Sequence, residues 1–258
     1  MTAEAGPTVE QPMPRRTLRL LVEYDGTGFA GWQRQDQQRT IQGCLEEAFQ
    51  KMLGQPVLVR GAGRTDAGVH ALGQVASVEL ASRIPNLGFL RGLNTHLPPQ
   101  IAVLDVADMP SGWNARHDAR GKIYRYEVWN HPVRSPHHAR WSWHVYDLLD
   151  SHSMRAATAV LLGEHDFRAF RSSDCDRLNT VRILRRFEVR RKGTLLTFEV
   201  EGTAFLRNMV RILVGTLVDV GRGKLTVAQV QALLENRDRK QAGVTAPAHG
   251  LTLVRVIY

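Results

Sequence analysis

The stretch at residues 61–71, GAGRTDAGVHA, holds a single carboxylate in a flexible and basic setting. Three glycines occur in these eleven residues, Arg64 precedes Asp66 by two positions, and His70 follows it by four. Glycine permits positive φ and lets a ligand approach the backbone closely. A carboxylate near arginine stays ionised, because the opposite charge favours its charged form. Asp66 is therefore suited to act as a nucleophile and poorly suited to act as a general acid.

Other chemistries fit this motif less well. It contains no second carboxylate, which argues against the two-acid arrangement of glycosidases. The sequence also lacks a Walker A loop, a Rossmann fingerprint, a serine-centred elbow and a zinc deaminase signature. An RNA-cleaving enzyme would need a general acid/base pair, such as two histidines near the scissile phosphate, and only His70 lies near Asp66. A purely structural loop in which Asp66 caps a turn stays open at this point.

Residues 113–144 combine cations with flat rings. They contain six Lys or Arg residues, two acidic residues, four tryptophans and two tyrosines. Cations neutralise phosphates and aromatic rings stack on unpaired bases, so this composition is typical of RNA binding. Strand alternation over residues 122–130 places Tyr124 and Tyr126 on one face. Both could instead be core tyrosines with their hydroxyls at the edge, which is the more common fate of a strand tyrosine.

A predicted helix at residues 204–221 carries charge beside its apolar stripe. Arg207 and Arg211 are four positions apart, which would place both on one flank of the helix. Arg211 adjoins the apolar positions, and a guanidinium at such a border needs an anionic partner because an unpaired buried charge is costly. A surface arginine that extends its head group into water would have the same spacing.

The net charge of the chain is +9, from 34 Lys and Arg against 25 Asp and Glu. A field of this sign attracts polyanions, and nucleic acid is the first such partner to consider. Coding bias toward arginine on a solvated surface would give the same total, so the position of the charge must decide. The chain has 258 residues, of which 43% are hydrophobic, and can therefore bury a substantial core.

The sequence gives little sign of metals, disulfides or membranes. Its two cysteines, Cys44 and Cys175, have no metal-ligand spacing. His137 and His138 are adjacent, and adjacent strand residues point to opposite faces, so they make a poor chelating pair. No apolar run reaches the roughly 18 residues that a membrane span needs, and no secretory signal is present. We therefore expect no metal site and a soluble, cytoplasmic protein.

The elements that position these residues follow an α+β order. Prolines and few large apolar residues predict a disordered tail at 1–16. Periodicity and turn residues then predict strand, helix, strand, strand, helix, strand twice over, which is the ferredoxin-like double split unit. The predicted strands are 17–26, 56–61, 73–80, 101–109, 122–130, 181–191, 194–202 and 251–258. The predicted helices are 41–53 between Thr40 and Gly54, 86–97, 147–162, 204–221 and an inserted one at 226–237.

Two such units in tandem predict two α+β halves, at residues 17–112 and 113–258. Their sheets could join side by side into one central, mostly antiparallel sheet and leave a groove between the halves. The Asp66 loop belongs to the first half, whereas Tyr124 and Arg211 belong to the second.

The Asp66 motif resembles that of the TruA family of tRNA pseudouridine synthases, whose catalytic aspartate lies in an Arg-Thr-Asp segment. The resemblance extends over nearly the whole chain after the tail, in the order of the family. The other segments that carry it are YDGTGFAGWQRQ (24–35), NTHLPPQIAV (94–103), WNARHDARGKIYRYEVWN (113–130), LLGEHDFRAF (161–170), FLRNMVRILVGTL (205–217) and APAHGLTLVRVIY (246–258).

The resemblance implies roles for individual residues. Asp66 matches the catalytic nucleophile, and Arg211 matches the arginine paired with it. Tyr124 matches the catalytic tyrosine that stacks on the target base. Arg64 matches the arginine that enters the RNA beside the flipped nucleotide. We assign Arg64, Tyr124 and His70, the histidine nearest to Asp66 in the motif, to substrate binding.

The resemblance also implies the reaction and its setting. The family isomerises uridine to pseudouridine in the anticodon stem-loop of tRNA, at positions 38, 39 and 40. It acts as a homodimer with a basic cleft, and it needs neither metal nor cofactor because the product is an isomer of the substrate. The alternative is a non-catalytic tRNA-binding protein or RNA chaperone that keeps the cleft without the chemistry.

Overall fold

The structure is a computed structural model that describes residues 13–173 and 178–258. Its first unit contains strands β1 (Arg15–Tyr24), β2 (Val59–Gly61), β3 (His70–Ala81) and β4 (Ile101–Met109) and helices α1 (Ile41–Leu53) and α2 (Asn86–His96). The strands lie in the order β4-β1-β3-β2, and each neighbouring pair is antiparallel. This is the arrangement predicted for the first ferredoxin-like unit.

The second unit repeats this arrangement. It contains strands β5 (Gly121–Asn130), β6 (Trp143–Val145), β7 (Gly163–Asp166), β8 (Val181–Lys192), β9 (Leu195–Gly202) and β10 (Leu251–Ile257), and helices α3 (Ser151–Ala159), α4 (Met209–Gly221) and α5 (Val227–Asn236). Strands β10-β5-β9-β8 are antiparallel neighbours in that order. The short strands β6 and β7, which the sequence does not predict, extend the sheet beside β5 and β8.

The two units share one sheet through a short parallel seam. Strand β3 pairs with β10, with Thr252 opposite His70 and Leu253 opposite Ala71. The seam completes the strand order β4-β1-β3-β10-β5-β9-β8-β7, with β2 and β6 beside this path. The predicted α+β fold with a shared, mostly antiparallel sheet is therefore confirmed. The proposed division at residue 112 falls between β4 and β5 and stays a prediction.

The two faces of this sheet differ in character. Alternation and register place Tyr24, Ala71, Leu253 and Tyr124 on one face, and all four are buried in the core against the helices. On the other face, near the seam, lie His70, Thr252 and Arg125. A residue's position along a strand therefore decides whether it faces the helical layer.

The helix ends explain several predictions. The Thr40 hydroxyl accepts a hydrogen bond from the Gly43 N–H (3.2 Å), and Gly54 ends α1 with φ of 71°. Helix α5 begins with a capping box between Thr226 and Gln229. The caps at Thr40 and Gly54 confirm the predicted bounds of α1. In the described part of the chain, no helix has the length and apolar character needed to cross a bilayer.

Helix α4 begins five residues later than predicted. Asn208 adopts left-handed geometry, with φ of 59°, and breaks the helical path before Met209. Asparagine tolerates this conformation better than most residues. Arg207 therefore lies outside the helix, and the prediction that it shares a helical flank with Arg211 is wrong.

The first strand begins before residue 16, the predicted end of the tail. Strand β1 begins at Arg15, which pairs with Ala81, so the tail prediction is wrong for residues 15–16. Residues 1–12 lie outside the described residues. Cys175 does so as well, and the only cysteine described is Cys44, which is reduced and partly buried.

Candidate active site

Asp66 lies in a tight turn between β2 and β3. The Val69 N–H donates to the Asp66 carbonyl (3.1 Å), and Gly68 inside this turn has φ of 76°. A positive φ at this position suits glycine because it has no Cβ. The Asp66 side chain is 32% exposed. The turn thus presents a carboxylate that substrate can reach.

The backbone of this turn rests on the segment 24–32. The Trp32 N–H donates to the Thr65 carbonyl (3.0 Å), and the Gly68 N–H donates to the Phe29 carbonyl (3.3 Å). The Tyr24 hydroxyl is 2.8 Å from the Thr65 hydroxyl in the buried interior. Burial is the main reason that the pKa of Tyr24 rises to about 12, so its phenol keeps its proton. These contacts fix the residue next to Asp66.

Two glycines allow this close contact. A Cβ on Gly26 would overlap the Val69 carbonyl, and a Cβ on Gly31 would lie 2.6 Å from the Thr65 carbonyl oxygen. Gly31 also has φ of 100°. The sequence analysis did not identify these supporting residues. Their only signal was the glycine spacing within YDGTGFAGW, because the contact is between backbones.

We expect Gly31→Ala to displace the Asp66 turn. The new methyl group would meet the Thr65 carbonyl, so the protein should lose about 2 kcal/mol of stability or more and, per folded molecule, roughly 10²-fold in activity because Asp66 shifts. Thermal melting and turnover measure the two effects. Gly28→Ala is the matched control, since Gly28 also has positive φ but nothing lies within 4 Å of its added Cβ. Equal activity in the two variants would contradict this role of Gly31.

Arg211 reaches Asp66 from α4. Its Nη1 is 3.5 Å from the Asp66 Oδ2, which is an ion-pair distance, and its side chain is 16% exposed. Its Nε donates to the Ala246 carbonyl (2.7 Å), and Nη1 donates to the Asn208 Oδ1 (2.7 Å). The guanidinium is therefore held by neutral acceptors and directs its charge at one carboxylate. Asn208, which the sequence analysis did not single out, both breaks the helical path and accepts from Arg211.

The segment 243–250 runs along α4 and carries one of these acceptors. The Ala246 N–H donates to the Arg211 carbonyl (3.2 Å), and the Gly243 N–H donates to the Thr216 hydroxyl (3.0 Å). Farther along, Ala248 would meet a Cβ on Gly68 at 3.4 Å. This segment therefore lies against both α4 and the Asp66 turn.

Tyr124 lies on the helix-covered face of β5, beside the same site. It is 7% exposed and packs edge-on against Phe205 with ring centroids 5.1 Å apart. Burial raises the pKa of Tyr124 above its ordinary value, and the nearby Tyr24 and Asp66 raise it further. Its phenol is therefore protonated near neutral pH and can donate a hydrogen bond.

Tyr126, two residues along the same face, has a structural environment. It is fully buried, and its hydroxyl donates to the Pro247 carbonyl (2.8 Å) in the segment 243–250. Its ring also fills the space where a Cβ on Gly250 would lie. The core interpretation of a strand tyrosine therefore describes Tyr126.

Arg64 is exposed at the edge of the Asp66 turn. Its Nε donates to the Gln33 Oε1 (3.1 Å), so its head group lies beside the segment 24–35. This position leaves the side chain accessible from solvent. Its predicted insertion beside the target nucleotide stays a prediction.

His70 lies on the opposite face of the sheet from Tyr124. It is 2% exposed, its Nδ1 accepts from the Gly26 N–H (3.0 Å), and its Nε2 is 3.2 Å from the His249 carbonyl. Burial lowers its pKa more than the neighbouring Asp25 raises it, so the neutral ring predominates. Both ring nitrogens are engaged within the protein. The structure therefore gives His70 a place at the seam and no free group for substrate, and its assignment to substrate binding stays a prediction.

The described residues contain no group of three or more His, Cys, Asp and Glu side chains that could hold a metal ion. Of the adjacent histidines, His138 stacks on Trp129 with ring centroids 4.4 Å apart. The site that the structure does assemble consists of Asp66, Arg211 and Tyr124. It combines an accessible anion, a fixed cation and a protonated phenol.

Comparison with known proteins places the chain among RNA-modifying enzymes. Residues 20–118 and 157–258 match the family model described as tRNA pseudouridine synthase. A tRNA pseudouridine synthase A of Pelobacter propionicus is 47% identical over 94% of this chain and 100% of its own. That of Syntrophotalea carbinolica is 48% identical over 93% of this chain and 96% of its own. The tRNA pseudouridine synthase A of Myxococcus xanthus is 46% identical over 95% of this chain and 92% of its own.

Proposed function

The chain belongs to the tRNA pseudouridine synthase family, and from that premise we propose that it isomerises uridines 38, 39 and 40 in the anticodon stem-loop of tRNA with Asp66 as the nucleophile. The observation that carries the assignment of Asp66 is its pairing with Arg211 at 3.5 Å on an accessible turn. The basic composition supports RNA as the substrate, since cations neutralise its phosphates.

The first step is extrusion of the target uridine from the RNA stack. The glycosidic bond cannot be reached while the base is stacked, and extrusion requires only a few kcal/mol. The flipped base then lies against Tyr124, and the exposed Arg64 occupies the space that the nucleotide leaves. The partly exposed Asp66 carboxylate is the anion that faces the extruded nucleotide.

The second step exchanges one bond for another. Asp66 attacks the nucleotide or supports departure of the base, and the C1′–N1 bond breaks. The uracil turns, C5 bonds to C1′, the C5 proton is lost, and N1 regains a proton. Asp66 leaves unchanged, so the reaction needs no oxidant, reductant or second substrate. Arg211, at 3.5 Å from the Asp66 carboxylate, holds that side chain in place throughout.

Tyr124 takes part in the proton transfer in this scheme. We expect Tyr124→Phe to bind tRNA nearly as well as the wild type, because the ring that stacks is retained. Its rate should fall about 10²-fold, since the hydroxyl that exchanges a proton is lost. Single-turnover tritium release with excess protein measures this step.

Tyr258→Phe is the control for loss of a tyrosine hydroxyl bond. The Tyr258 hydroxyl donates to the Ala115 carbonyl (2.7 Å), so this variant should melt earlier and keep its rate. A wild-type rate in Tyr124→Phe would remove the hydroxyl from the chemistry.

The proposed function is tested with undermodified tRNA that carries tritium at uridine C5. Wild-type protein should release tritium, because C5 must lose its hydrogen isotope to form the new bond. Transcripts with a uridine at only one of positions 38, 39 and 40 should each release it, and a transcript without any of them should not. Tight binding with no release would instead indicate the non-catalytic tRNA-binding protein.

We also propose that the chain acts in the cytoplasm as a homodimer, on the strength of its resemblance to the family. Light scattering should then give about twice the chain mass of 29.0 kDa. A single-chain mass at the concentrations used for the activity assay would contradict the dimer.

A further inference from the structure

A cavity of about 310 Å³ adjoins the Asp66 turn on the β2 side. Its cationic lining consists of Arg60, Arg64 and Arg116, with His117 beside them. We call this space the basic cavity. Gly63 also lines it, and an extended chain advances at most about 3.6 Å per residue, so the Gly63 wall of the cavity lies within about 11 Å of Asp66. The volume is at the lower end of ligand sites, about 300–1,000 Å³.

The backbone around the basic cavity is fixed by a buried serine. The Ser77 hydroxyl donates to the Arg60 carbonyl (3.5 Å) and accepts from the Ala115 N–H (3.2 Å). Ser77 is 4% exposed, so the hydroxyl links β2 to the turn after β4 from inside the protein. Arg60 and Arg116 are thereby held on neighbouring walls.

The turn that carries Arg116 is itself locked. The Asn114 Oδ1 accepts from the backbone N–H groups of Arg116 (2.9 Å) and His117 (3.2 Å). The Asp118 carboxylate accepts from the Asn114 N–H (2.7 Å), which closes the turn from its other end. Such a rigid wall loses little entropy when a ligand binds.

A lysine lies next to the basic cavity. The Lys122 Cε would be 2.9 Å from a Cβ on Gly63, so its side chain runs along the backbone of the Asp66 loop. Burial lowers the pKa of Lys122, and the charge of Arg116 lowers it further. No acidic side chain of the described residues offsets these two causes.

The cations of this region lack carboxylate partners among the described residues. Within residues 13–173 and 178–258, no acidic side chain forms an ion pair with Arg60, Arg64, Arg116 or Lys122. By contrast, Arg186 on β8 does have an acidic partner, since it pairs with Glu199 on β9 at 2.6 Å. Unpaired cations gathered at a rigid cavity indicate a site for an external anion.

We propose that the basic cavity binds a phosphodiester group of the tRNA strand next to the target uridine, with Arg60, Arg116 and Lys122 as its cations. This inference rests on the proposed function, because tRNA is the polyanion that must approach Asp66. Arg64, at the border between the cavity and the turn, would then contact the same strand. The contact fixes the register of the strand without reading its sequence.

The test measures binding of an unmodified tRNA transcript by the full chain over a range of salt concentrations. Arg60→Gln and Arg116→Gln should each weaken binding about 3- to 10-fold and reduce the slope of log K against log salt by about 0.7 to 0.9. The double variant should lose the sum of the two slopes. Arg155→Gln, an exposed arginine on α3 in the second unit, is the control and should bind like the wild type.

Lys122→Met extends the test to the half-buried cation, with a melting curve to establish that it folds. If Lys122→Met does not fold, the variants of the exposed Arg60 and Arg116 still decide the test. Wild-type affinity and slope in both arginine variants would overturn the basic cavity as a phosphate site, even if the wild type isomerises uridine. Reduced affinity and slope in a chain that releases no tritium would support the cavity and contradict the proposed function.

Discussion

Asp66→Asn is expected to bind tRNA with nearly wild-type affinity and to release no detectable tritium, a loss of more than about 10⁴-fold in single-turnover rate. The change keeps the size and shape of the side chain but removes its negative charge and its nucleophilicity. The turn itself should survive, because its hydrogen bonds to segment 24–32 come from backbone groups and the Thr65 hydroxyl and not from the Asp66 side chain. The loss should therefore lie in the chemistry and not in binding.

The control for Asp66→Asn is an aspartate outside the site. Asp105 on β4 is 48% exposed and pairs with Arg19 at the sheet edge, so Asp105→Asn should change stability by less than about 1 kcal/mol and leave the rate intact. Binding is measured on the same transcript in all three proteins. Wild-type turnover in Asp66→Asn would remove this carboxylate from the mechanism.

Arg211→Leu should have the second largest effect, because it acts on both activity and stability. It deprives Asp66 of its cation and leaves the Ala246 carbonyl and the Asn208 amide oxygen without their donor. We expect roughly 10²- to 10³-fold lower activity per folded molecule. Loss of the hydrogen bonds should lower stability by about 1–3 kcal/mol, or roughly 2–12 °C in melting temperature.

Arg222→Leu is matched to this variant in burial and fold position. Arg222 follows the other end of α4, is 17% exposed and pairs with Asp147 at 2.8 Å. It should melt earlier but keep its activity per folded molecule. If Arg211→Leu had an unchanged melting temperature, the ion pair and its supporting bonds would not contribute to the fold.

A double-mutant cycle separates the ion pair from the rest. Asp66→Asn combined with Arg211→Leu should be less destabilising than the sum of the two single changes, by about 1 kcal/mol. The coupling is small because the Asp66 side chain is about one third exposed, which screens the pair. Strict additivity would mean that the two side chains stabilise the fold independently.

Local signals in the sequence predict most of the elements. Thr40 and Gly54 carry the chemistry that starts and ends a helix, and both act as predicted. The start of α4 is missed because apolar residues continue at helical spacing through Leu206, while Asn208 leaves the helical region through its backbone alone. The short strands β6 and β7 exist through pairing with β5 and β8, and three or four residues carry too little pattern to reveal that.

Local patterns in the sequence predict less of the site than of the fold. The position of Arg211 beside an apolar stripe predicts an anionic partner, but only the family resemblance indicates that Asp66, far away in the sequence, is that partner. The support from Gly26 and Gly31 leaves no side-chain pattern, since backbone meets backbone there. The surroundings of His70 depend on the sheet face to which its side chain points, and that face is known only once β3 is paired with β10.

The seam between β3 and β10 also sets an order of assembly. We expect the first unit to form its four strands and two helices once residues 15–109 have been synthesised, because all six elements lie within that range. The candidate active site cannot form at that stage, because Tyr124 and Arg211 come later in the chain, and β10 lies between β3 and β5 in the finished sheet. We therefore expect the nascent chain to fold its first half early and to acquire activity only after translation of β10, without passing through a half-active form.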